Sequence, residues 1–203
     1  MFQNFKKVIG QQFKKPSGLF GIFTSNLMIK ENMPRYDMLI KDLDIQPHDK
    51  ILEIGYGPGI GIELISEKCN SCIIHGIDFS KLMYKRATKR NKQHIASHKV
   101  LLKYGDIFDT QIEQHDYDKI FCLNVVYFWD DLQKAFKKIA SLLKNSGSFC
   151  IYMATKEMLL EKKAPDGIFN KYSIEQITDA LKLAGLNNII YQFDKGYYIK
   201  AKK

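Results

Sequence analysis

The chain has no run of about 18 apolar residues, so nothing in its 203 residues reads as a membrane-spanning helix. Its N-terminus, MFQNFKK, lacks the charged stretch, apolar core and cleavage site of an export signal. Those two absences make a cytoplasmic location the expectation. Cysteine is scarce: Cys122 and Cys150 fall in apolar, strand-like runs, and Cys69 and Cys72 form one CxxC without a second pair. Reduced thiols are expected. A metal site is not, because Cys69, Cys72 and His75 do not complete a closed tetrahedral zinc set. Repeats, low-complexity tracts and an interdomain linker are also missing. A chain of this length buries most of the surface its unfolded form exposes, so it requires no staple.

What is present is an excess of positive charge, +9 in formal terms, carried by far more lysine than arginine. Such an excess fits nucleic acid, a membrane surface or an acidic substrate. The lysines are spread over the N-terminal segment, the helix after Asp78 and the C-terminal end, which is also the pattern of a solvated surface.

The N-terminal segment places Phe2, Phe5, Ile9 and Phe13 at helical spacing, with Lys6, Lys7, Lys14 and Lys15 largely on the other side. Residues 1–15 therefore read as a short basic amphipathic helix. It serves as a lid on a pocket, as a cover for the main domain, or as a weak membrane-surface contact. From Pro16 to Lys30 the chain carries Leu19, Phe20, Ile22, Phe23, Leu27, Met28 and Ile29, too apolar to stay in water, so packing is expected. Met33 to Ile45 reads as a further helix, with Asn32 as its cap and Pro34 in its first turn.

From Lys50 the pattern becomes regular. Strand-like runs at Lys50–Ile54, Ser71–Ile77, Lys99–Tyr104, Lys119–Leu123 and Ser148–Met153 alternate with helical patterns beginning at Ile60, Ser80, Asp130 and Ser173. That alternation argues for a parallel sheet. The runs Asn188–Phe193 and Tyr197–Lys202 are separated by Asp194, Lys195 and Gly196, a hairpin that adds one antiparallel strand. The fold class expected is α/β: a Rossmann-like, doubly wound, seven-stranded sheet, mostly parallel with the last strand reversed, under an N-terminal helical cover. Residues 1–45 form the cover and 46–203 the main domain.

The most informative stretch is ILEIGYGPGIGI, Ile51 to Ile62, an acidic residue and four alternating glycines at the end of an apolar strand. Glycines there permit a tight turn into a helix at about Gly59, and ligands of doubly wound folds sit at the carboxyl ends of strands. The dinucleotide fingerprint requires glycine at the sixth position, where this chain has Ile60. Glu53, one residue before the turn, would repel a pyrophosphate and suits a cationic ligand carrying an ammonium group.

With GIDFS, YGDIF and FCLNVVYFWDD following in order, the span from Lys50 to the C-terminus resembles the class I S-adenosylmethionine-dependent methyltransferases. The resemblance implies a cofactor, S-adenosyl-L-methionine, with S-adenosyl-L-homocysteine as product. It implies that Glu53 and the carbonyls near Gly55 and Asn124 surround the amino-acid end, and that Tyr56, Gly57 and Gly59 of the turn also bind the cofactor. Asp78 accepts from the ribose hydroxyls, Phe79 and Met83 flank the adenine, and Asp106 with Ile107 meets its edge. Asn124 begins NVVY, where amino-group methyltransferases acting on DNA bases or glutamine carry two prolines; Val125 and Val126 replace both. That departure argues against exocyclic-amine methylation through this motif and leaves Tyr127, Phe128 and Trp129 as an aromatic wall.

LEIGYGPG with NVVYFW resembles the small-molecule branch that includes ubiquinone and menaquinone methyltransferases. A small, partly apolar acceptor follows, contacted by Tyr127, Trp129 and Tyr172 and selected by the N-terminal helices and by Ala154 to Tyr172. Tyr56, Tyr127, Tyr172 and Glu161 are candidate bases, and no spacing selects one. Two other readings stand beside this one: an RNA methyltransferase that holds phosphates with its lysines, and a non-catalytic cofactor-binding partner protein.

Overall fold

The computed structural model describes residues 2–112 and 116–203; the side chains of residues 2–7 and of Met28 lie outside that description, and with them the expectations placed on Phe2, Phe5, Lys6, Lys7 and Met28. Seven strands form one sheet: β1 (Lys50–Ile54), β2 (Ile73–Asp78), β3 (Val100–Tyr104), β4 (Tyr117–Leu123), β5 (Leu143–Met153), β6 (Asn187–Phe193) and β7 (Tyr197–Lys202). Their spatial order is β3-β2-β1-β4-β5-β7-β6. Pairings from β3 through β5 are parallel, and β7 runs antiparallel to both β5 and β6. This is the doubly wound sheet with its reversed last strand that the sequence predicts.

Strand order reverses between β1 and β4, which places a crevice beyond their carboxyl ends. The helices that cover the sheet are α1 (Phe2–Lys14), α2 (Gly18–Asp42), α3 (Ile60–Lys68), α4 (Lys81–Arg90), α5 (Lys92–Ala96), α6 (Leu132–Leu142), α7 (Lys156–Glu161) and α8 (Ile174–Leu183). On one face Phe136, Ile139, Ile177 and Leu181 pack against Ile120, Phe149 and Ile151. On the other, Leu39, Leu43, Ile62 and Ile65 pack against Ile51, Ile74 and Phe121.

Three expectations are corrected. First, Asn32 does not cap a helix and Pro34 does not open one: α2 runs unbroken from Ser17, its N-cap, to Asp42, with Pro34 inside. Burial of Tyr36, Leu39, Ile40 and Leu43 carries the helix through the proline, and tertiary packing overrides the local punctuation.

Second, most of the large side chains in the apolar run after Pro16 stay exposed, Leu19 at 87% and Phe23 at 59%, while Ile29 packs against the core. The inner face of this part of α2 is made of Gly21, Thr24 and Ser25 instead, small enough for close approach. A Cβ on Gly21 would stand 3.0 Å from Leu82. Thr24 bonds the carbonyls of Phe20 and Gly21, and Arg86 of α4 bonds the carbonyl of Ile22 and the Ser25 hydroxyl.

Third, Cys69 and Cys72 are joined in a disulfide with Cα atoms 5.6 Å apart. A turn at Asn70 and Ser71 brings the end of α3 to the start of β2, within bridging range. The bridge lies at the opposite end of β2 from the crevice. Cys122 and Cys150 are free and buried.

Candidate functional site

A cavity of about 390 Å³ opens at the carboxyl ends of β1, β2 and β4, within the size range of small-molecule sites. Its floor is the turn after β1. Gly57 adopts φ +53°, and a Cβ there would meet nothing within 4 Å, so this turn presents bare backbone to open space. The Gly57 amide donates to Oδ2 of Asp78 at 2.9 Å, and the Ser80 amide donates to Oδ1 at 2.8 Å. Asp78 is thereby fixed at the end of β2 with one lone pair on each oxygen still open. Burial pushes its carboxyl up to about 6, and the two amide bonds oppose that rise. Ser80, whose hydroxyl accepts from the Met83 amide, is the cap of α4.

Phe79, Met83, Asp106, Ile107, Asn124 and Trp129 also line this cavity. Asp106 makes a local turn, its Oδ1 accepting from the Phe108 amide at 2.9 Å. Asn124, at φ +59°, is held by its own amide donating to Tyr152 and by Nδ2 donating to Asn32 at 3.1 Å. Among the described residues its buried Oδ1 has no hydrogen-bond partner. The end of α1 stands at the cavity: Phe13, Lys14 and Pro16 line it, and Lys15 sits 5.6 Å from the centre of the Phe79 ring.

Five of the site residues singled out from the sequence lie off this wall; Tyr127 faces a second cavity, and the other four are placed as follows. Glu53 is fully buried beneath the turn. Its Oε1 accepts from the Tyr36 hydroxyl at 2.9 Å, and among the described residues Oε2 has no partner. Burial raises its carboxyl to about 8, with Tyr36 pulling it down and Asp78 pushing it further up. Gly61 is needed for this placement, since a Cβ there would stand 2.6 Å from Glu53 Oε2. Tyr56 is a core residue whose hydroxyl donates to the Lys103 carbonyl. Gly59, at φ +84°, caps α3 and packs on Ala87. Tyr172 donates to the Trp129 carbonyl at 2.7 Å and braces the aromatic segment from behind.

A second cavity, of about 400 Å³, shares Phe13, Asn124 and Phe128 with the first. It is built from α1, α2 and residues 154–169, the two segments expected to select a substrate. Tyr127 lines it. The rings of Tyr127, Phe128 and Phe169 meet with centroids 4.7 to 5.2 Å apart. Gly10 of α1 allows the closure, as a Cβ there would stand 2.7 Å from Pro165. This cavity was not legible in the sequence, because its walls come from segments far apart along the chain.

A family model described as a methyltransferase domain matches residues 51–147. Over 167 residues the chain is 31% identical to the uncharacterized methyltransferase YdaC of Bacillus subtilis, covering 82% of this chain and 87% of that protein. The chain belongs to the class I S-adenosylmethionine-dependent methyltransferases. This methyltransferase shares its fold with phosphoethanolamine N-methyltransferase 2 of Haemonchus contortus, solved with S-adenosyl-L-methionine, at TM-score 0.71 and 17% identity. The alignment covers 84% of this chain and 52% of that one, so the chain spans about half the length of that enzyme. Geranyl diphosphate C-methyltransferase of Streptomyces coelicolor, solved with S-adenosyl-L-homocysteine, aligns at TM-score 0.69 and 12% identity over 83% and 79% of the two chains.

The cofactor of this family is S-adenosyl-L-methionine, and the residues present fit it. The bare turn at Gly57, the open lone pairs of Asp78 and the unpartnered Oδ1 of Asn124 offer hydrogen-bond acceptors and space to a cationic nucleoside.

Proposed function

We propose that the protein transfers a methyl group from S-adenosyl-L-methionine to a small, partly apolar acceptor held in the second cavity. The observation that carries this reading is the meeting of two cavities at Asn124, one floored by the glycine turn and Asp78, the other walled by aromatic rings. The phosphoethanolamine, sterol and geranyl diphosphate methyltransferases that this chain resembles act, by their names, on small molecules, and their acceptors support the same class here.

When bound, the cofactor supplies a methyl group already activated on its sulfonium. In the proposed roles Asp78 holds the ribose, and Phe79, Met83 and Ile107 enclose the base beside Asp106. Asn124 offers its free oxygen to the amine. Tyr127 and Phe128 align the acceptor and exclude water, which for a displacement in line supplies a large part of the rate. Burial raises the Tyr127 phenol well above its ordinary value, so it stays protonated at neutral pH and acts as wall and donor rather than base. Glu161 lies outside both cavities. Alignment therefore carries the step.

Incubation with methyl-labelled S-adenosyl-L-methionine and fractionated cell extract tests the reading. Label in a small organic molecule is the expected outcome. Label in RNA, or in nothing, contradicts it.

A further inference from the structure

The second cavity has one strongly polar end. Arg35 of α2 lines it, partly buried, with its Nε donating to the hydroxyl of Tyr152 at 2.6 Å. Its guanidinium carbon stands 5.4 Å from the centre of the same ring. Tyr152 is itself buried, and its hydroxyl donates a hydrogen bond to the Lys195 carbonyl at 2.5 Å. Nε of Arg35 is thus fixed, while its two terminal nitrogens make no hydrogen bond among the described residues. No carboxylate of the described residues lies within 4.0 Å of it.

Lys162 and Lys163 stand on the same cavity, against one carboxylate, Glu31, which is exposed. A partly buried arginine held by a buried tyrosine and left without an acid is arranged for an anion. The planar fork of guanidinium donors matches a carboxylate or phosphate with two parallel bonds. Apart from Asn32 and Asn124, the rest of the wall is mainly aliphatic and aromatic, with Phe13, Tyr127, Phe128, Leu159 and Phe169 on it.

We propose that the second cavity binds an amphiphilic anion. Its carboxylate or phosphate ester pairs with Arg35, with Lys162 and Lys163 at the rim, and its apolar body lies against Tyr127, Phe128 and Phe169. That this anion is the methyl acceptor rests on the activity proposed above; that the ligand is an anion rests on the cavity alone. The charge excess of the chain acquires a local meaning here, since three of its cations face one small volume.

Calorimetry on the full chain with decanoate, decyl phosphate, decanol and decylammonium, each below its micelle-forming concentration, tests the proposal with and without saturating S-adenosyl-L-homocysteine. The two anions should bind about tenfold or more tighter than decanol, the scale of a charge-assisted bond, and decylammonium should bind weakest. Preference for decyl phosphate marks a phosphate ester and preference for decanoate a carboxylate; either supports the proposal. Arg35→Gln should remove the anion preference while leaving decanol and S-adenosyl-L-homocysteine binding unchanged, since Arg35 lies outside the first cavity. Arg35→Lys should restore part of it, and Lys162→Gln with Lys163→Gln should weaken it without touching the fold. Decanol binding as tightly as the anions, or an anion preference that survives Arg35→Gln, overturns the proposal. Failure of S-adenosyl-L-homocysteine to bind would sink the methyltransferase activity and leave the anion comparison standing.

Discussion

At the scale of single residues, two buried carboxyls, Asp78 on the cavity wall and Glu53 beneath the turn, are both pushed up by burial. Asp78 titrates near 6 in the unliganded protein, and its ionised form is the better acceptor for ribose hydroxyls. Cofactor affinity should therefore rise by about tenfold between roughly pH 5 and pH 7, as one proton is lost. Asp78→Asn should flatten that profile, and Asp78→Ala should weaken binding by about tenfold or more; both are read by calorimetry, and an unaltered profile would remove Asp78 from the ribose.

Glu53 behaves differently because it has no open path to solvent. Its carboxyl moves from 4.5 to about 8 on folding, so between those values the native state keeps a proton that the unfolded chain releases. Stability of the unliganded protein should fall as pH rises through this window, by up to about 1.4 kcal/mol per pH unit. Glu53→Gln should abolish that slope in denaturant titrations. Gly61→Ala, which drives a methyl into the Glu53 carboxyl, should lower stability by about 1–3 kcal/mol. Glu53 and Asp78 stood out in the sequence because strand ends and glycine spacing are local features, while Asp106 and Asn124 stood out through the resemblance of YGDIF and NVVY to family motifs. It did not show that Tyr56 turns inward to fill the space beside Gly76, which depends on packing between neighbouring strands.

At the scale of elements, we propose that α1 and the chain leading into α2 act as a lid. Phe13 belongs to both cavities and Pro16 to the first, which places this segment beside the proposed cofactor. Deleting residues 1–15 should raise the cofactor dissociation rate several-fold in stopped-flow displacement; an unchanged rate would make the segment a plain cover. The strands were legible to within a few residues because each is a short apolar run ended by a turn. Helix α2 was not, since Asn32 and Pro34 imitate a boundary that Tyr36 and Leu39 override by burial. The exposed row of Leu19, Phe20, Phe23 and Leu27 escaped for the opposite reason. Composition reports that a segment is apolar; the direction its side chains take is set by the small residues on its other face.

At the scale of the whole molecule, the sheet brings the glycine turn, Asp78 and Asn124 together although they span about a third of the chain, and the cover adds a second chamber above them. None of the described helices is long and apolar enough to cross a membrane. The reversal of strand order between β1 and β4 creates the crevice, and what it holds is the point on which the account turns. Calorimetry of the intact protein with S-adenosyl-L-methionine and, separately, with NAD is the most direct test. Saturable, one-to-one binding of S-adenosyl-L-methionine is expected, weakened by about tenfold or more in Asp78→Ala, with no measurable binding of NAD. Absence of S-adenosyl-L-methionine binding, or tighter binding of NAD, would contradict it.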